Sequence, residues 1–205
     1  MKKLTLMLLG AFIATATFAQ FDRIVVEEVP NSGKVPGKTY RVYAVMVNAK
    51  DQIDAVFAEE TNPVTISSTK PFYQHEMGGA LSADVQRFDL QNDPVLSFDS
   101  WFTIGAVDNY NNYLMPFAMD SVAVKEFESG TNYVSKTGAW FVTPDKRQTQ
   151  ADNSNRILIM QLTTAGKVTG TINLHGRTRT QRDGDGNVIS GGDLIEERGI
   201  TFTAG

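Results

Sequence analysis

The chain has 205 residues with 19 basic and 23 acidic side chains, and it contains no cysteine. Without cysteine it cannot form disulfides, iron–sulfur clusters or Cys-ligated zinc, so its stability must come from an ordinary hydrophobic core. A domain of this size buries roughly 70% of the surface of its unfolded chain, which is enough for such a core. We therefore predict one domain and no cofactor.

The first 19 residues have the pattern of a secretory signal peptide. Lys2 and Lys3 precede an apolar run over residues 4–13, and small residues then lead to Ala19. The run is shorter than the roughly 20 apolar residues that a membrane-spanning helix needs. We predict cleavage after Ala19, export to the periplasm, outer surface or medium, and no membrane insertion of the mature chain.

The predicted mature chain, residues 20–205, is acidic. Without Lys2 and Lys3 it carries 17 basic and 23 acidic side chains, a formal charge of −6. General attraction to nucleic acid or to anionic headgroups needs clustered Lys and Arg. We therefore expect neither as a partner.

Short apolar segments alternate with turn-rich stretches along the mature chain, and none keeps a helical period over three turns. This pattern predicts an all-β fold, a single antiparallel β-sandwich of jelly-roll-like form. The predicted strands are residues 23–29, 38–47, 52–58, 64–68, 97–104, 139–143, 156–162, 168–174 and 193–202. Residues 119–128 fit a short helix or another strand, and the pattern leaves both open.

Two pairs of these strands are predicted to be hairpins, because turns of hairpin length separate them. The first pair surrounds residues 48–51 and the second surrounds residues 164–167. The strand over residues 38–47 is apolar on both faces, which favours a central position. In the strand over residues 168–174 the alternation predicts one face toward the core and one toward water.

Several phrases in order resemble a known type of module. They are residues 39–43 (TYRVY), 72–74 (FYQ), 99–105 (DSWFTIG), 138–145 (GAWFVTPD), 162–164 (LTT) and 170–173 (GTIN). Together they resemble an uncharacterised secreted β-sandwich module that recurs in Bacteroidota and other aquatic bacteria and has no established activity. The resemblance implies an extracellular fold and carries over no site residue.

One aromatic and polar segment has the composition of a sugar-binding face. Trp101, Tyr110 and Tyr113 supply rings, while Asp108 and Asn109 supply polar groups for hydroxyls. The alternative for Trp101 is the core, where a large ring in an apolar segment usually belongs.

A second segment resembles part of a calcium loop. Asp183, Asp185 and Asn187 occupy the first, third and fifth positions, but Val188 and Leu194 stand where glycine and glutamate are required. The same residues suit a hairpin turn. We predict the turn and no metal site.

The sequence contains no catalytic motif. His75 and His175 are the only histidines, both are expected to be exposed, and no Ser lies in a G-x-S-x-G elbow. We therefore expect a non-catalytic extracellular or cell-surface module with an adhesion, matrix or structural role, whose partner is a glycan or a surface protein. A carbohydrate-binding module and a secreted hydrolase with a dispersed site are the two alternatives.

Overall fold

The structure, a computed structural model, describes residues 20–144 and 146–205, so the predicted signal peptide lies outside the described residues. Its strands are β1 (Phe21–Val29), β2 (Lys38–Met46), β3 (Gln52–Phe57), β4 (Val64–Ser68), β5 (Trp101–Phe102), β6 (Met115–Phe117), β7 (Tyr133–Ser135), β8 (Ala139–Phe141), β9 (Arg156–Thr164), β10 (Val168–Arg177), β11 (Gln181–Arg182), β12 (Val188–Ser190) and β13 (Leu194–Ala204). The helices are α1 (Arg87–Asn92) and α2 (Ser121–Glu128), with 3₁₀ turns at Pro94–Phe98 and Arg147–Thr149. The predicted all-β fold is confirmed, and residues 119–128 contain a helix.

The strands form two main antiparallel sheets. The smaller has the order β1-β2-β9-β5, so the predicted central position of β2 is confirmed. In the larger sheet β10 pairs with β13 on one side and with β3 and β4 on the other, and the sheet continues from β4 to β7 and from β3 through β8 to β6. Strands β11 and β12 form a separate two-stranded ribbon.

Aromatic rings fill the centre of the core between the sheets. The ring of Phe102 stacks on Trp140 with centroids 4.6 Å apart and on Phe127 with centroids 4.4 Å apart. Phe127 comes from α2, and Asp120 caps the start of this helix because its carboxylate accepts the backbone N–H groups of Val122 and Ala123. A short helix therefore closes the core beside the larger sheet.

Both hairpin predictions were wrong. β2 and β9 belong to the smaller sheet, while β3 and β10 belong to the larger one, so each polar turn carries the chain across the core to the opposite sheet. The physical reason is that all four strands present apolar side chains inward, and packing them face to face buries those faces. The predicted inward set of β10, Val168, Ile172 and Leu174, is confirmed as buried.

The strand predicted over residues 97–104 is also largely wrong. A 3₁₀ turn spans Pro94–Phe98, and only Trp101–Phe102 pair as a strand. Pro94 has no backbone donor, and the Asp93 carboxylate accepts the N–H of Val95 at 3.1 Å. These features favour a turn, although the residues that follow are apolar.

Candidate functional site

An open groove of about 770 Å³ lies beside the outward face of β2 and β9. Its lining combines tyrosine rings with basic side chains, namely Arg41, Tyr43, Tyr113, Lys146, Arg147 and Arg156. One wall belongs to the two strands and the other to the loops around residues 113 and 146–150. The groove therefore offers both aromatic rings and cationic groups to a ligand.

The strand wall follows from the alternation of β2. Val42 is buried in the core, so its neighbours Arg41 and Tyr43 point outward. Arg156 lies on the adjacent strand, and its guanidinium carbon sits 4.5 Å from the centre of the Tyr43 ring. An ion pair with Glu27 raises the pKa of Arg156, which therefore stays charged.

The loop wall is held in place by Gln148. Its amide oxygen accepts the N–H of Tyr113 at 2.8 Å, and its amide nitrogen donates to the Ile104 carbonyl at 2.8 Å and to the Asn112 side chain at 3.1 Å. The ammonium of Lys146 then lies 4.8 Å from the centre of the Tyr113 ring. Tyr113 remains 49% exposed, so its ring is accessible from the groove.

The structure separates the predicted sugar-binding residues. Trp101 is only 2% exposed and packs with Val85, Leu96 and Leu158 in a small cluster on the outward side of the smaller sheet. The Trp101 ring therefore belongs to the core, and neither of its faces is accessible to a ligand.

Three of the other predicted residues, Asp108, Asn109 and Tyr110, contact Arg87. The Arg87 guanidinium binds both oxygens of Asp108, at 2.9 and 3.0 Å, and lies 4.1 Å from the centre of the Tyr110 ring. The Asn109 side chain accepts the backbone N–H of Arg87 at 3.0 Å. Of the five predicted residues, only Tyr113 lines the groove.

The predicted turn at Asp183 is confirmed. It joins β11 to β12, and one carboxylate oxygen of Asp183 accepts the backbone N–H groups of Asp185 and Asn187 at 3.0 and 2.8 Å. All three side chains are exposed. Across residues 20–144 and 146–205, no three acidic, histidine or cysteine side chains cluster as a metal site would require. Whether calcium binds the turn stays a prediction.

The expectation of two exposed histidines was wrong. The His75 side chain is 9% exposed, and its Nε2 lies 3.2 Å from an Asp93 oxygen. His175 is 31% exposed, and its Nδ1 lies 2.5 Å from the buried carboxylate of Asp54, which Arg177 contacts as well. The Asp54–His175 pair borders an apolar hollow of about 380 Å³. Sequence spacing could not show either pair, because the partners lie on separate segments.

Sequence analysis missed most of the groove because its basic residues come from three separate segments. One signal was available: Arg41 is a charged residue within the apolar part of the central strand β2, between Tyr40 and Val42, and such a residue indicates a polar or functional outward face. Comparisons with family models, with curated proteins and with solved structures gave no match. The resemblance to a secreted β-sandwich module therefore stays a prediction. No helix in the described part of the chain has the length and apolar character to cross a membrane.

Proposed function

We propose that the protein is a non-catalytic, exported binding module and that the groove beside β2 and β9 holds a carbohydrate chain. The observation that carries the proposal is that Tyr43 of β2 and Tyr113 of a separate loop line the same open groove, with amide and charged groups around them. Aromatic rings pack on the apolar faces of sugars, and the surrounding polar groups bind hydroxyls. A glycan of the matrix or of a cell surface is then the natural partner, in keeping with an adhesion role.

The described lining of the groove has too few acidic groups for the usual mechanism of glycoside hydrolysis, and this favours a binding role. Most glycosidases use two carboxyl groups that flank the scissile bond. Among the described lining residues Asp152 is the one acid, and its carboxylate already accepts the backbone N–H groups of Ser154 and Arg156 at 2.8 and 3.0 Å. It is therefore placed to hold its own loop.

A glycan array of residues 20–205, with and without calcium, tests the proposal, followed by calorimetric titration of the glycans that bind. Tyr113→Ala should weaken binding about 10-fold, which corresponds to about 1.4 kcal/mol. Tyr110→Ala is the matched control, because Tyr110 is 60% exposed in the same loop but does not line the groove. Absence of any glycan ligand, or equal losses in both variants, would contradict the proposal.

A hydrolase is the second candidate, and the Asp54–His175 pair favours it. A buried carboxylate that holds an imidazole is the base half of a hydrolytic triad, and the adjacent hollow is lined by Phe117 and Phe141. Hydrolysis of aryl esters of short fatty acids, lost in His175→Ala and kept in His75→Ala, would support this activity. Equal background rates in the wild type and both variants would exclude it for these substrates.

A further inference from the structure

We propose that the saccharide bound in the groove is acidic and that Arg41, Lys146, Arg147 and Arg156 recognise its carboxylate or sulfate groups. This inference rests on the proposed function, because it assigns a substrate class to the same site.

The charge of the groove is opposite to that of the protein. Residues 20–205 carry a formal charge of −6, yet the described lining of the groove contains four basic side chains and one acidic one. A cleft lined by one sign of charge concentrates its field within the cleft. Arg156 is paired with Glu27 and Asp152 adds one acidic group, but the basic groups still outnumber the acidic ones, so an acidic ligand is attracted to the groove.

Two of the four basic groups lack a carboxylate partner among the residues that the structure describes. Arg41 donates through Nε to the neutral amide of Gln161 at 3.0 Å, and Arg147 is exposed at the start of a 3₁₀ turn. A guanidinium bound to an amide keeps its full charge and its remaining N–H donors. Guanidinium groups bind carboxylates through two parallel hydrogen bonds, and they bind other oxyanions in a similar way.

The remaining two basic groups combine charge with an aromatic ring. Arg156 lies over Tyr43 at 4.5 Å and Lys146 lies over Tyr113 at 4.8 Å, so each wall pairs a cation with a ring. A sugar with a carboxylate or sulfate group presents an apolar face and an anionic group on the same unit. In each pair the cation covers one face of the tyrosine ring, so the cation meets the anionic group of the sugar and the rest of the ring is left for its apolar side.

The basic residues of β2 and β9 are spread along the strands, which suits a chain of sugar units. Arg41 and Val45 lie on the outward face of β2 on either side of Tyr43, and Arg156 pairs directly with Val45 across the sheet. At about 3.3 Å per residue, the backbone positions of Arg41 and Arg156 are therefore roughly 13 Å apart along the strand direction. The backbone of the groove thus carries its basic residues at successive positions along the strands, where one charged oligosaccharide can contact more than one of them.

The test compares acidic oligosaccharides with neutral versions of the same backbone. Oligogalacturonate is paired with its methyl ester, and a sulfated galactan oligosaccharide is paired with its desulfated form, each titrated calorimetrically into residues 20–205. We expect at least one acidic member to bind at least 10-fold more tightly than its neutral partner, and we expect that advantage to shrink in high salt because exposed charges are screened. The pair that shows the advantage distinguishes a carboxylate from a sulfate ligand.

Variants that remove one basic charge show which residues produce the preference for acidic oligosaccharides. Arg147→Gln should reduce binding of the acidic oligosaccharide about 10-fold while leaving the neutral one unchanged. Lys136→Gln is the control, since it removes a basic charge that pairs with Glu60 away from the groove. Arg147→Gln should unfold at the wild-type denaturant midpoint, because Arg147 is exposed.

The outcomes separate the two proposals. Equal binding of charged and neutral partners would overturn the acidic specificity and leave carbohydrate binding standing. No binding of either kind, here and on the array, would overturn both. Tighter binding of a single-stranded oligonucleotide than of every saccharide would show that the groove recognises phosphate, and it would also overturn both.

Discussion

Replacing Asp99 with asparagine should change how the stability of the protein depends on pH. Asp99 is fully buried, and its carboxylate accepts the backbone N–H groups of His75 at 2.8 Å and Gly79 at 3.3 Å. Burial raises the pKa of Asp99 from its ordinary 3.8 to about 6, and the hydrogen bonds from the backbone offset only part of that effect. A shift of this size corresponds to about 3 kcal/mol of preference for the protonated form in the folded protein.

The direction of the effect follows from proton binding. Between pH 3.8 and about 6 the folded protein keeps the Asp99 proton, while the unfolded chain has lost it. Because the folded state then binds more protons, the free energy of unfolding falls as pH rises through this window. The contribution of Asp99 should therefore increase by about 1.4 kcal/mol when the pH is lowered from 7 to 5, since the full slope applies over roughly one pH unit.

Urea denaturation of the wild type and of Asp99→Asn from pH 7 to pH 4.5 measures this contribution. The variant should be less stable throughout, because its amide NH₂ faces backbone donors, and the gap should widen by about 1.4 kcal/mol at pH 5. Asp185→Asn removes an exposed carboxylate and should show no such widening. A gap between wild type and Asp99→Asn that stays constant across this range would refute the reasoning.

Three further predictions test the core, the turn and the processing site. Trp140→Ala should lower the free energy of unfolding, measured by urea denaturation, by about 3 to 5 kcal/mol, because the ring is 1% exposed and stacks on Phe102. Phe141→Ala should lower it clearly less, and equal losses in the two variants would contradict the packing. Millimolar calcium should leave the melting temperature of the protein unchanged, and a rise that disappears in Asp183→Ala would revive the metal site. The intact mass of protein recovered from the periplasm or medium should correspond to a chain that begins at Gln20, and retention of residues 1–19 would contradict export by cleavage.

Sequence pattern located the strands better than it located their partners. Strand β4 has the predicted bounds, Val64–Ser68, and β2 differs from its predicted end by one residue. Strand propensity and turn residues act locally, so they can be recognised in the amino-acid sequence. The sheet that a returning strand joins depends on which surfaces pack across the core, and this is why both turns were assigned to hairpins and both lead to the opposite sheet.

The candidate site shows the same limit. Composition drew attention to residues 101–113 because rings and amides are dense there, but most of these groups are used within the protein, as Asp108 is by Arg87. Tyr113 is the one predicted residue that lines the groove. Its neighbours Tyr43 and Lys146 come from distant segments, and only the folded chain brings the three together.

A register shift between β2 and β9 in the smaller sheet determines whether Arg156 faces the groove. The register of β2 with β9 shifts between Val42 and Tyr43, so that Val42 faces Met160 while Tyr43 faces Leu158. A one-residue slip moves every later side chain of a strand to the opposite face. Without the extra residue in β9, Arg156 would point into the core; with it, Arg156 lies outward beside Tyr43 and lines the groove. Strand β9 reads as continuous apolar sequence from residue 157 to 160, so no alternation reveals the shift. Bulges that redirect a side chain are concentrated next to functional sites, which supports the assignment of function to this groove.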